Sequence, residues 1–286
     1  MVLTSAVAFG TIPILGKLAY ANGVTPLQLL AFRFVIATAG LSVIALASGQ
    51  RPWRAGRART MAIASLGLVY AGTAVSFFFA LTALPASLSE LIAYLYPALV
   101  AIGAWLFTGG EMNRRIALAL VATLIGLALL VGAIQLRTSW ALPLALAAPL
   151  LYSVYILFGE RVTKDMPAIT SSVLVHAGGA VTLVVVLLAV GPRSLPQTAA
   201  AWAVVAAIAL LPSMVGISLF LAGLARVGAT RAAILSTIEP VVTVALAAAL
   251  LGDRLNAFQG LGAVLVLAAV VVMQLRRRTV IPPFEP

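Results

Sequence analysis

The sequence predicts an all-α polytopic membrane protein: ten transmembrane helices arranged as two inverted five-helix repeats around a central cavity. Three observations lead there. Of 286 residues, 63 % are hydrophobic and only 9 % charged, whereas soluble domains carry roughly 45–50 % apolar and about 25 % charged residues. A span of about 20 apolar residues at 1.5 Å each crosses a hydrocarbon core of roughly 30 Å, so ten spans leave short loops and no room for an extramembrane domain. Shifting the chain by half its length, 143 positions, also sets like residues on like.

Apolar runs bounded by charge, proline or glycine fall at 3–21, 26–48, 61–83, 86–108, 116–134, 140–158, 168–190, 200–224, 229–251 and 256–275. None alternates strictly as a barrel strand would, so each reads as a helix. No Lys or Arg precedes the first, which makes it a first membrane helix rather than a cleavable signal peptide. The second starts at Pro26 and carries Arg33 inside it. The third and fourth form one apolar run of 48 residues that is cut at Leu84-Pro85-Ala86, because proline stops a helix. Pro97 in the fourth span and Pro240 in the ninth each lie about 11 residues in, roughly 16 Å deep and near the midplane. The eighth span carries a further break at Pro212-Ser213. Trp53, Trp140 and Trp202 sit near span ends, where tryptophan anchors at the interface.

The charge of +11 is distributed by side. With the N-terminus inside, the inner connections hold 13 basic residues: Arg51, Arg54, Arg57, Arg59, Arg114, Arg115, Arg161, Lys164, Arg226, Arg231 and Arg276 to Arg278. The outer connections hold 4, namely Lys17, Arg137, Arg193 and Arg254. This bias places both termini in the cytoplasm and accounts for the charge without a nucleic-acid partner. The absence of cysteine excludes disulfides and thiolate chemistry. Gly10 to Gly16-Lys17 imitates a phosphate loop, but it has five intervening residues and Leu18 where Ser or Thr should bind magnesium. A single histidine and no nucleophile elbow complete the case against an enzyme, a metal or a cofactor.

The shift by 143 sets Ala86-Ser87 on Ala229-Thr230, Pro97 on Pro240, and Gly16-Lys17 on Gly159-Glu160. Gly109-Gly110-Glu111 meets Gly252-Asp253 after one residue is dropped. Five spans per half is an odd number, so the halves insert with opposite orientation. The halves run over 1–139 and 140–278, with a cytoplasmic tail at 279–286.

Phe9-Gly10-Thr11, Pro26, Arg33-Phe34 and Pro97 followed by Gly110-Glu111 resemble one EamA repeat, and Glu239-Pro240 with Gly252-Asp253-Arg254-Leu255 resembles a second. EamA domains belong to the drug/metabolite transporter superfamily. The resemblance implies ten helices in two inverted repeats, a central cavity, and export of amino acids or other metabolites across a bacterial inner membrane. The first half departs from the pattern, with Tyr96-Pro97 where Glu-Pro could stand and Glu111-Met112-Asn113 where Glu-Arg-Leu is usual.

Residues three, four and seven before a helical proline share its face. These are Tyr94, Ala93 and Glu90 in span four, and Thr237, Ser236 and Ala233 in span nine. Together they suit a small amphipathic solute; the alternative for Ser and Thr is helix–helix bonding, worth about 0.6 kcal/mol each. Pro97 and Pro240 read either as hinges or as packing kinks. Phe78, flanked by Phe77 and Phe79, joins Tyr152 and Tyr155 as stacking surface, and Ser213 as a hydrogen-bonder. A charge inside a span costs about 2.5–3.5 kcal/mol on insertion scales, so Arg33, Glu90 and Glu239 need a reason. Arg33 and Glu90 are expected to approach one another. Glu239 is then left either to couple a proton or to cap amides freed around Pro240. His176 is either a packing hydrogen-bonder or a proton switch.

The expected function is a secondary transporter exporting small metabolites by alternating access, with neutral amino acids, aromatic ones foremost, as solutes. It would run by facilitated diffusion or proton exchange. Alternatives are a multidrug or nucleotide-sugar-like carrier of the same superfamily, a channel, or an intramembrane enzyme. Phosphate-bearing solutes fit poorly, since only Arg33 is clearly intramembrane. The bilayer and the solute are the expected partners, and oligomeric state is left open.

Overall fold

The computed structural model describes residues 1–52, 56–108, 112–131, 140–163, 166–191, 195–227, 232 and 235–274, and every regular element among them is helical. Trp53, Arg54, Gly109 to Glu111, Arg137, Lys164, Arg193, Ala229 to Arg231, Ala233, Arg276 to Arg278 and the tail 279–286 lie outside the described residues.

In chain order, α1 (Val2–Gly10) and α2 (Ile12–Ala21) form one span interrupted at Thr11. Next come α3 (Pro26–Ala47) and α4 (Arg57–Ala80), then a second interrupted span of α5 (Ala86–Ala93) and α6 (Tyr96–Thr108). They are followed by α7 (Arg114–Val131), α8 (Leu142–Val162) and α9 (Ala168–Val190). A π-turn at Leu211–Gly216 joins α10 (Ala199–Leu210) to α11 (Ile217–Val227). The helix α12 (Ile238–Leu246) ends in a second π-turn (Ala247–Leu251), and α13 (Ala257–Gln274) closes the described chain. Eight of these stretches are long and apolar enough to cross a membrane, and Ile238–Leu251 is a shorter apolar helix.

Local chemistry explains the boundaries. Thr25 and Gln28 exchange side-chain-to-backbone bonds in a capping box that starts α3, and Asn256 with Gln259 does the same before α13. Asn113 Oδ1 accepts from the first amides of α7, Arg115 and Ile116. The interruptions follow from proline, which withholds the donor owed to the carbonyl four residues back. Pro97 leaves the carbonyl of Ala93, Pro212 that of Ile208, and Pro240 that of Ser236. Ser213 Oγ takes over the second of these, donating to Ile208 O at 3.1 Å.

Helix pairs come together where side chains are smallest. A Cβ added at Gly262 on α13 would meet the carbonyl oxygen of Gly126 on α7 at 2.7 Å, and one at Gly126 would meet that of Gly262 at 2.8 Å. On α4, a Cβ at Gly67 would meet the amide nitrogen of Gly179 on α9 at 2.6 Å. Such close backbones suit membranes, where helices associate by packing rather than by expelling water.

The end of the bundle away from the start of the chain is sealed by packed side chains. Where α2 turns into α3, α4 into α5, and α10 begins, Ala19, Val24, Leu29, Leu81, Leu84, Ala86 and Ala201 are all fully buried. The same end carries a cross-link between distant parts of the chain. Gly252 adopts φ +71°, a left-handed turn that suits glycine, and Asp253 follows it. Asp253 Oδ2 accepts from both the amide and the hydroxyl of Ser87, each at 3.1 Å, and so caps α5 from outside.

Candidate functional site

A cavity of about 430 Å³ lies beside the helix breaks before Pro97 and Pro240, on the far side of the sealed end and toward the end where the chain begins. Along α9 it meets Ser172, Val175 and His176, whereas Ala180 and Leu183 further on belong to the packed core. Along the eighth span it meets Ile217, Phe220 and Leu221 of α11, whereas Ala201, Val205 and Ile208 of α10 are core. Its volume falls within the usual range for small-molecule sites.

Five of the six tyrosines in the chain line this one cavity: Tyr70, Tyr94, Tyr96, Tyr152 and Tyr155. Tyr152 and Tyr155 stack at 5.7 Å between centroids and 14° between planes, Tyr70 lies 5.2 Å from Tyr155, and Tyr96 meets Tyr152 edge-on at 4.9 Å. The wall therefore offers flat apolar faces edged with hydroxyls. Three ionisable side chains, Arg33, Glu90 and Glu239, share it with His176.

Arg33 is fixed by the first π-turn. Its Nε donates to Ser213 Oγ at 2.8 Å, and its guanidinium lies 5.7 Å from the centroid of the Phe78 ring. Arg33 and Glu90, expected to approach one another, line the same cavity, and no ion pair joins them. Arg33 sits on α3, which packs on α9, α10 and the π-turn, while Glu90 sits on α5, which packs on α8 and α12. The guanidinium bonds instead to the buried hydroxyl of Ser213, the residue after Pro212.

Ser213 is thus a correction as well. Its hydroxyl is fully buried and committed at both ends, donating to Ile208 O and accepting from Arg33, so it supports the wall instead of lining it. Ser213→Ala is expected to destabilise the fold by about 1–3 kcal/mol, because it strands a buried carbonyl and a buried N–H together. Thermal unfolding in detergent, with Ser213→Thr as the variant that keeps the hydroxyl, checks this.

Glu239 opens α12, and its carboxylate oxygen Oε2 lies 3.0 Å from Tyr94 Oη, which also lies 3.0 Å from the carbonyl oxygen of Ser236. The partner of the carboxyl is therefore a phenol from the other broken helix, where the sequence also left open a set of amides around Pro240. His176 Nδ1 lies 2.8 Å from Ser172 O. A carbonyl only accepts, so the neutral ring carries its hydrogen on Nδ1, and Nε2 is left buried without a partner against Phe34 and Tyr70.

Of the other anticipated residues, Phe78, Tyr94, Tyr152, Tyr155 and Ser236 line the cavity. Thr237 does not: it occupies the turn before α12. Pro97 and Pro240 lie behind the wall, one residue beyond the lining residues Tyr96 and Glu239. Tyr70, Tyr96, Phe9 and Phe220 escaped the sequence reading. A signal for the first two was present, since a phenol inside an apolar span needs a partner or water for its hydroxyl.

The model of the EamA-like transporter family matches residues 1–132 and again 139–275. Over 189 residues the sequence is 28 % identical to the "Uncharacterized transporter YyaM" of Bacillus subtilis (strain 168), covering 63 % of this chain and 62 % of that protein. The match therefore spans less than two thirds of that relative's length. A solved structure titled "Crystal structure of protein" superposes with a TM-score of 0.69 at 20 % identity, covering 96 % of this chain and 95 % of that one. That likeness is one of fold.

Proposed function

The chain belongs to the EamA-like transporter family, and on that premise we propose that it is a secondary transporter exporting small metabolites, neutral and aromatic amino acids foremost, across the bacterial inner membrane by alternating access. One observation carries the reading: a single cavity of about 430 Å³ combines five tyrosines with one guanidinium and two carboxyl groups. A zwitterion has opposite charges and a side chain to place. Arg33 answers its carboxylate, Glu90 or Glu239 its ammonium, and the stacked Tyr152 and Tyr155 a flat side chain.

Two inverted repeats, 1–139 and 140–278, frame this cavity. The family match in two successive segments supports them. So does the position of the helix breaks, since Tyr94 and Thr237 stand 143 positions apart, each three residues before its proline. With the termini in the cytoplasm, as the basic residues favour, the sealed end carrying Ser87 and Asp253 faces outward and the cavity faces inward, the state that loads a solute for export. Broken helices at matched places in two halves are where such carriers bend and bind.

The test is a proteoliposome assay with labelled amino acids inside, with and without an imposed pH gradient. Saturable, counterflow-stimulated movement is expected, and rates linear in concentration at conductance levels would mark a channel. A lipophilic cation is the second reading, favoured by two carboxyls facing one guanidinium; movement of such a cation but of no amino acid would select it. Tyr152→Ala is expected to lower the preference for aromatic over aliphatic amino acids about fivefold, the equivalent of one aromatic contact. Competition assays with phenylalanine and leucine read it directly.

A further inference from the structure

Three oxygens form a chain across the helix breaks before Pro97 and Pro240: Ser236 O, Tyr94 Oη and Glu239 Oε2, with 3.0 Å at each link. The first is the carbonyl that Pro240 leaves without its helical donor. The second comes from the break that precedes Pro97 in the other span. A phenol has one hydrogen to give, and a carbonyl none. With an ionised Glu239, two acceptors compete for that hydrogen, and the phenol can serve only one of them. With a proton on Glu239, the carboxylic O–H donates to Tyr94 Oη, Tyr94 donates to Ser236 O, and every link is made.

We propose that Tyr94 and Glu239 form a proton-binding clasp between the two helix breaks, with Tyr94 as the positioning residue. Gain of a proton at Glu239 ties Tyr94 to the carbonyl of Ser236. Loss of that proton draws the Tyr94 hydrogen to the carboxylate and frees the carbonyl, leaving one link between the α5 break and α12 where there were two. As a coupling device this rests on the transporter reading above; as a proton site it stands on the geometry alone.

The groups around it are few. Glu90 on α5, Tyr96 on α6 and Tyr152 on α8 share the cavity with Glu239, and Arg33 on α3, Tyr70 on α4, Tyr155 on α8 and His176 on α9 complete its ionisable lining. On α2, Lys17 lies toward Asp253. The short α1, which packs on α12, has no ionisable side chain and contributes backbone, accepting from Thr243 Oγ1 at Gly10 O. Glu90 is therefore the competing carboxyl that a test must separate.

Infrared difference spectra of the full chain in phospholipid vesicles, titrated from about pH 5 to about pH 9 without solute, read the site directly. A protonated-carboxyl band that titrates is expected in the parent chain and in Glu90→Gln, and its loss is expected in Glu239→Gln. Tyr94→Phe is expected to move its midpoint by about one pH unit or more. The thermal midpoint of the parent should follow the same titration, and that of Glu239→Gln, whose amide still donates to Tyr94, should not. A band unchanged in Glu239→Gln, or a Tyr94→Phe midpoint equal to the parent's, overturns the proposal. If Tyr94→Phe fails to fold, the contrast in thermal midpoints between parent and Glu239→Gln decides. Failure of every amino acid to move would overturn the solute reading and leave these spectra as they are.

Discussion

Gly262→Ala is expected to lower the stability of the bundle by about 1–3 kcal/mol, while Gly260→Ala, two residues earlier on the same helix, leaves it unchanged or raises it by up to about 1 kcal/mol. The chemistry of the two substitutions is identical. At position 262 the new methyl would stand 2.7 Å from the carbonyl oxygen of Gly126, a backbone atom that moves only if the helix moves. At position 260 nothing lies within 4 Å, and replacing glycine in a helix reduces the entropy lost on folding. Thermal unfolding of the two variants side by side in one detergent checks the contrast. Equal midpoints would mean that α7 and α13 do not cross at these glycines. The reciprocal variant Gly126→Ala should resemble Gly262→Ala, and the pair should be less than additive, because each relieves the contact the other violates.

Asp253→Ala is expected to open the sealed end. It removes two hydrogen bonds from a carboxylate, each worth about 1.5–3 kcal/mol, that tie the turn after α12 to the start of α5. Losing even one such bond amounts to about tenfold in the balance between closed and open arrangements. The chain contains no cysteine, so a single Ala93→Cys in the cavity wall is a unique reporter. In the parent background, a membrane-impermeant maleimide should label it from the side where the chain begins. With Asp253→Ala, labelling from the opposite side should rise about tenfold or more. Ser87→Ala keeps the amide link and removes only the hydroxyl, so a smaller rise is expected. Unchanged sidedness in both variants would leave closure to the packed core alone.

Much of this architecture was legible in the residues. Apolar length located most helices to within a few positions: the run at 168–190 is α9 to the residue, and that at 26–48 is α3 plus one, whereas the run at 229–251 meets only the shorter apolar helix Ile238–Leu251. The breaks at Pro97 and Pro240 were legible because proline withholds a donor wherever it stands. The break at Thr11 was missed, although Pro13 follows it. Pro13 stands in the second position of α2, as Pro97 does in α6, so the donor it withholds marked this break as well and went unread. Arg33, Glu90, His176 and Glu239 were visible inside spans, and they do share one cavity. Their partners were not visible. Arg33 bonds a serine 180 residues away, a pairing set by which helices pack on α3. Tyr70 and Tyr96 escaped for a related reason, whereas Tyr94, Tyr152 and Tyr155 were anticipated. Whether Tyr70 or Tyr96 faces inward depends on the rotational phase of its helix, which is decided by neighbours far away in the chain.

The π-turn at Leu211–Gly216 has a consequence of this kind for the length of the chain. Each residue in an α-helix advances the phase by about 100°. Removing one residue from this turn would return the eighth span to regular α geometry, and would swing Phe220 and Leu221 about 100° away from the cavity they line. Ser213 would meanwhile lose its place between Ile208 and Arg33. Many substitutions within the turn leave that phase intact, whereas no deletion does. The segment is a spacer held to a fixed residue count, and the inner wall keeps time with the outer half of the bundle through it.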